Sequence, residues 1–590
     1  MNEDSRTPGK RTSKGVCCTA VWLVLLMAIF LILLVVVQFL PGRPDTLSDW
    51  VQIGLVLFVV GFAIATVLLG VWQFGRWVCC WRNLKRGLLS CAAILAMIAL
   101  FYAEEDWRGW HTWRRFRKEW EAKGESFALA SVVPRPVPDE LNFALTPIAL
   151  TSYGQVLTRD GKAIPAEKRD GRFEVRMRMP LTPDYPVPTN CAGDWAKGTF
   201  IRLEGWQSHY RELAGRTNQF PVPAHPGSPA GDVLLALSRY DAAIEELRAA
   251  SRLPCSRFPV NYEGEPPWRI LLPHLACLKS CAQVLRLRSV AELQNGQPDQ
   301  ALEDVRLALH LTDKVHTEPL LISHLVRIAM VQLTLQPVWE GLAEHKWSVP
   351  QLAVLEAELA KLDFLADWRL GMHGELGGLA DSMELLRRHP ERLCELEDLR
   401  GFNGNQLRPW LPHGFAARFI PSGWFYQNLY HCARLIEDYY LPMADTNRGT
   451  FTPDSARRAE AASALETPGP YNLFEHFMLG GLGQAAKRFA HGQASVDLAR
   501  TAIAIERWRL GHGALPESLD ALAPQCIAKV PRDVIVGQPL KYRREAGDRF
   551  VLYSVGWNQT DDGGVAGPSA EGTADLDRGD WVWRYPPKAN

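Results

Sequence analysis

The chain has 590 residues, its 65 Lys and Arg balance 65 Asp and Glu, and 47% of it is apolar. Zero net charge without a long basic stripe argues against nucleic-acid binding, and this apolar content excludes a disordered chain. A chain this long can bury a large core, so its twelve cysteines are not needed as a disulfide framework.

Behind a basic tail over residues 1–15 lie three uncharged apolar runs, Val16–Leu40, Trp50–Gly75 and Gly87–Ala103. A helix crosses a bilayer core with about 20 residues, range ~17–25, because it satisfies its own backbone hydrogen bonds. The first run is longer than the ~7–15 apolar residues of a signal peptide and no small-x-small cleavage site follows it. Trp50, Trp72 and Trp77 sit where interfacial aromatics belong. The third run is at the short limit, and its other reading is a buried core helix. Arg6, Lys10, Arg11 and Lys14 in the tail, and Arg76, Arg82, Lys85 and Arg86 after the second run, outweigh Arg43 in the first loop. Positive charge stays in the cytoplasm, so three crossings put the remaining chain outside it. Arg108, Arg114, Arg115, Arg117 and Lys118 oppose that orientation; if the third run does not cross, the body is cytoplasmic. No charge lies inside the runs, which argues against a transporter.

Five cysteines lie in the anchor and seven in the body. Cys17-Cys18 and Cys79-Cys80 fit interfacial packing better than a soft-metal site, because they lack C-x-x-C spacing. Cys277 and Cys281 share a helix face and read as small buried apolar residues.

Residues 104–125 read as an amphipathic helix, with Trp107, Trp110, Trp113, Phe116 and Trp120 on one broad side. That side either lies in the headgroup layer or packs beneath the soluble body. Residues 126–218 are Pro-rich and irregular, with a strand expected at Phe173–Met179, where apolar and polar residues alternate. After a connector at 219–231, residues 232–491 show helical periodicity. Val290–Leu293, a break at Asn295–Pro298, then Ala301, Leu302, Val305 and Leu309 make a helix–turn–helix. This pair resembles one tetratricopeptide repeat, but no second copy follows at the ~34-residue period, so an irregular helical body is expected. It contains no phosphate loop, no H-E-x-x-H helix and no G-x-S-x-G elbow. His310, His316 and His324 are spaced by six and eight, which keeps all three off a single helical face; they read as ordinary surface or capping residues, with a metal-ligand trio as the alternative.

Residues 493–590 order a helix (494–511), a Pro-containing turn with a short Leu-rich helix (513–524), Val530-Pro-Arg-Asp533, Gly537–Tyr542, Phe550–Gly556, an Asp- and Gly-rich loop (557–580) and a last strand at Trp581–Trp583. Over residues 494–564 this order resembles the globular head of the type II secretion major pseudopilin. Two departures stand out: no methylated N-terminal span precedes the helix, and Val534-Ile535 replaces the usual aromatic. The resemblance therefore implies a reused head module and not pilus assembly. It also implies calcium in the acidic loop, held by Asn558, Asp561 and Asp562, with Asp575, Asp577 and Asp580 as further oxygen donors. Calcium takes ~6–8 oxygens and accepts irregular loops; the bland alternative is a solvated turn.

The expected protein is thus a multi-domain membrane protein with N-terminal transmembrane helices at 16–103, a mainly α-helical soluble body and a small α+β pseudopilin-like head. It resembles uncharacterised bacterial envelope proteins anchored in the inner membrane by several spans, with an extracytoplasmic body. Its expected role is non-catalytic, through contacts with the lipid bilayer and other envelope proteins. An envelope hydrolase with a carboxylate site assembled in three dimensions, and a membrane sensor or transport accessory, are the alternatives.

Overall fold

The first long element, helix α1 (Trp81–Ala122), joins two segments that the sequence reads separately, the third apolar run and the aromatic helix after it. Nothing at the Ala103–Glu104 junction stops a helix: Ala103, Glu104 and Glu105 are strong helix formers, and no Gly or Pro lies between Leu88 and Arg108. The computed structural model describes residues 81–584, apart from 158–162, 166–174, 183–185, 187, 189–190, 217–218, 264–265, 398–413, 466, 468, 547–548 and 568–574, plus scattered positions between 27 and 75. The tail, most of the runs 16–40 and 50–75, and the two Cys-Cys pairs lie outside the described residues.

The chain divides into one unit over Met1–Glu104 and another over Glu105–Asn590. In the first, the apolar window of α1 is 0% buried. Leu88, Leu89, Leu95, Met97 and Leu100 are all exposed.

In the second unit, α1 enters the core. Trp113 and Phe116 are buried against Phe127 and Tyr430, whereas Trp107 and Trp110 stay exposed. The aromatic side of α1 is therefore split, with its later rings under the body. Its turn 105–109 docks on the start of another helix. Glu105 accepts from Trp424 Nε1 and Tyr471 OH, both at 3.0 Å, and Asp106 accepts from Gly423 N at 2.7 Å. Backbone meets backbone here: a Cβ at Gly109 would strike the Gly423 carbonyl, and one at Gly423 would strike that of Glu105.

The segment after α1 is irregular. It holds the antiparallel pair β1 (Gln155–Leu157) and β2 (Ala163–Pro165). The described part of the expected strand at 173–179, residues 175–179, is turn and coil; Met177 and Met179 are nevertheless fully buried. Alternation there reflects packing of single side chains, since among the described residues no strand pairs with it.

Helices then follow: α2 (Leu203–Ala214), α3 (Pro229–Leu237), α4 (Asp241–Ser251), α5 (Pro273–Gln294), α6 (Pro298–Asp313), α7 (Leu321–Ala343), α8 (Val349–Leu359), α9 (Phe364–Arg388) and α10 (Ser422–Leu435). Pro opens α3, α5 and α6 where a missing N–H costs nothing. Gly296, at φ +73°, makes the α5–α6 turn the sequence marks. Helix α7 is central and packs on α5, α6 and α9. Val331, Leu335, Val338 and Trp339 on it are almost wholly buried, and each such side chain contributes roughly 1.5–3 kcal/mol.

A short pair, β3 (Ala444–Asp445) and β4 (Thr450–Phe451), precedes α11 (Pro453–Leu465) and the long α12 (Leu482–His512). Helix α12 starts well before residue 494. It packs on α7, α8 and α9 as well as on the final sheet, and its side chains belong to the same core cluster as theirs. That sheet, β5 (Lys541–Glu545), β6 (Arg549–Ser554) and β7 (Trp581–Trp583), is antiparallel in the order β5-β6-β7. The expected helix, short Leu-rich turn and three strands are present, but β5 begins only at Lys541, so most of the expected run Gly537–Tyr542 precedes the strand. The boundary drawn between 491 and 493, however, falls inside α12.

All seven body cysteines are free thiols, and Cys277 and Cys281 are buried as expected.

Candidate functional site

Three helices turn polar faces toward one groove of about 810 Å³. Helix α5 contributes Lys279, Gln283 and Arg286, spaced by four and three. Helix α12 contributes Gln484, Lys487, Arg488 and His491 at the same spacing, and α7 contributes Gln332 and Gln336. Such spacing keeps side chains on one helical face. Leu325, Ile328, Ala329 and Leu333 of α7 add an apolar side, and the turn Gly193–Ala196 and residues 575–577 close the ends.

The turn is built for this position. Gly193 and Gly198 have φ of +62° and +69°, which favours glycine, and a Cβ on Gly193 would meet Ile201 and Gln336. Asp194 accepts from Ala196 N at 3.1 Å and starts the short helix Trp195–Lys197. Arg286 donates to the carbonyl of Gly193 at 2.8 Å and to that of Ala192. Burial pulls the Arg286 guanidinium below its ordinary range. Gln336 Nε2 donates to Thr199 O at 3.0 Å and to Glu340 at 2.8 Å. Burial pushes Glu340 up to about 7, against hydrogen bonds from Gln336 and Ile201 N. Burial likewise lowers His491 to about 4, and its ring stands edge-on to Trp581 at 5.1 Å; a neutral imidazole results at pH 7.

The acids in the lining are engaged. Asp577 pairs with buried Lys487, Asp194 with Lys197 at 3.4 Å, and Asp575 with Arg578 at 3.7 Å. Among the described residues, Lys279 and Arg488 have no acidic partner. The groove therefore carries uncompensated positive charge beside amide groups. Its described lining holds no Ser, Thr, Cys or Tyr, and its three carboxylates each face a Lys or Arg. The chemistry on offer is recognition of an anion.

The acidic loop is divided by the fold. Asn558 donates to Asp562 at 2.9 Å, and Asp561 accepts from Tyr553 OH at 2.9 Å and lies 3.1 Å from Lys541. Asp580 accepts from Asp562 N at 3.2 Å and Gly564 N at 2.6 Å. These four residues belong to one hydrogen-bonded loop, whereas Asp575 and Asp577 line the groove. Among the described residues, no three His, Cys, Asp or Glu are grouped to hold a metal ion.

His310, His316 and His324 go separate ways. His310 faces Glu358 at 3.6 Å, and His316 faces Asp313 at 3.5 Å. His324 is fully buried, 3.5 Å from Asp367, and is not a surface residue. Burial would lift the Asp367 carboxyl, but His324 and Arg327 outweigh it and hold it low.

The groove cations are missed by motif reading because they are split between α5 and α12, two helices far apart in the sequence. One signal was present: Gln332, Gln336 and Glu340 recur every four residues in an otherwise apolar helix. Comparison with protein-family models, with curated proteins and with solved structures gives no match.

Proposed function

We propose that the chain is a non-catalytic, membrane-anchored cell-envelope protein whose helical body and C-terminal region make binding contacts, with the cationic groove as a contact site. One observation carries this reading. The apolar window of α1 buries none of its residues, although later turns of the same helix bury Trp113 and Phe116. An exposed apolar surface of this size marks contact with lipid or with another protein. The positive-inside count puts the body outside the cytoplasm, and reporter fusions at the C-terminus and in the 76–86 loop test that placement. Opposite signals from the two sites are expected. A full-length chain that stays soluble without detergent overturns the reading. The hydrolase alternative needs paired carboxylates in a pocket, and the acids of this groove are tied to Lys and Arg.

The order of α12, the short helix Leu519–Leu522 and the three-stranded sheet supports a reused pseudopilin-like head. Calcium at Asn558, Asp561 and Asp562 is the matching cofactor proposal, and an ion there has to displace Lys541 from Asp561. Millimolar calcium then raises the melting temperature of the wild type and not of an Asp561→Ala/Asp562→Ala variant. Equal responses from the two proteins remove the proposal.

A further inference from the structure

We propose that the groove between α5, α7 and α12 binds a small organic anion that also carries hydroxyl groups, of the class of phosphorylated or carboxylated sugars. This goes beyond a contact role and does not depend on membrane attachment.

The anion follows from charge. Lys279 and Arg488 lie exposed at the groove with no acidic partner among the described residues, and Arg286 spends its bonds on two neutral carbonyls. The acids nearby are already matched to Lys487, Lys197 and Arg578. A bound carboxylate or phosphate gains charge-assisted hydrogen bonds where the protein leaves cations unpaired.

The hydroxyls follow from two orphaned atoms. Arg286 Nε and Gln336 Oε1 are both buried, both belong to residues lining this groove, and neither has a hydrogen-bond partner. Gln336 is 1% exposed, and its amide nitrogen is fixed on Thr199 O and Glu340, so its oxygen is left over. An unsatisfied buried polar atom is costly and calls for a partner. One orphan is a donor and the other an acceptor, and a hydroxyl group can serve either. Gln283, Gln332 and Gln484 extend the same amide lining. The apolar side formed by Leu325, Ile328 and Leu333 suits the carbon face of a sugar ring. The volume of about 810 Å³ admits a ligand of one or two rings.

The test uses the full-length chain in detergent, titrated calorimetrically with glucose 6-phosphate, glucuronate, inorganic phosphate and neutral glucose. The charged sugars bind, glucose does not, and inorganic phosphate binds more weakly than glucose 6-phosphate. The surface variant Lys279→Glu/Arg488→Glu lowers charged-sugar affinity about tenfold or more, a loss of about 1.4 kcal/mol or more, with an unchanged melting temperature. Gln336→Leu narrows the gap between glucose 6-phosphate and inorganic phosphate. The inference falls if no charged sugar binds at millimolar concentration, if glucose binds as well as its phosphate, or if charge reversal leaves affinity unchanged. The reporter fusions are unaffected by any of these results, so the anchored-contact reading fails or survives separately.

Discussion

Among the described residues, two helices are long and apolar enough to cross a membrane, and they have opposite surroundings. The apolar window in α1 is 0% buried, and that of α7 is 67% buried. The difference lies in their polar residues. The α1 stretch from Gly87 to Ala103 carries no charge or amide that needs a partner. Helix α7 carries His324, Arg327, Gln332, Gln336 and Glu340, and most of these are satisfied by the body: Arg327 pairs with Asp367, Gln332 donates to Ser495 at 2.9 Å, and Glu340 accepts from Ile201 N at 2.9 Å. Hydropathy measures how badly a helix avoids water; it is the polar groups that say whether protein or lipid replaces that water.

The sharpest way to break this comparison is charge in α1. Leu95→Arg/Ile98→Arg costs about 2.5–3.5 kcal/mol per charge at a bilayer centre. With the third crossing lost, a C-terminal reporter moves from the external to the cytoplasmic signal. An unchanged reporter signal means that this stretch does not span. Packing comes next. Trp339→Ala in α7 empties a fully buried site and costs about 3–5 kcal/mol, seen as a large fall in the denaturation midpoint. Leu100→Ala in α1 leaves the midpoint of the body unchanged in detergent, because that side chain is exposed.

A smaller effect concerns pH. Glu437 sits in the π-helical turn Ile436–Tyr440, and burial, helped by Glu125 and Asp438 and opposed by Lys123 and Arg369, pushes it up to about 8. The folded state then holds a proton that the unfolded state has released, so stability falls as pH rises from about 4.5 toward 8. Glu437→Gln flattens that part of the stability–pH curve. A parallel curve for the variant shows that Glu437 is not the titrating group.

The α5–α6 pair was legible because Gly296 and Pro298 punctuate it locally, and the buried cysteine pair because offsets of four share a face. The final three strands were legible from alternation and turn residues. The strand expected at 173–179 was not found in its described part, where Met177 and Met179 reach the core with no neighbouring strand among the described residues. The start of α12 was misplaced because residues 482–493 carry no stop signal and no strong apolar stripe. Of the groove, only the recurring amides of α7 showed in the sequence.

The sequence by itself determined the helical periodicity, the turns and the apolar window of α1, because these depend on neighbours within a few residues along the chain. Tertiary structure alone decided that α7 is core and that Lys487 is neutralised by Asp577 while Lys279 and Arg488 find no acid among the described residues. It also set Arg286 and Gln336 around one groove. Those outcomes depend on which side chains meet across tens to hundreds of residues, and burial and pairing have no local code.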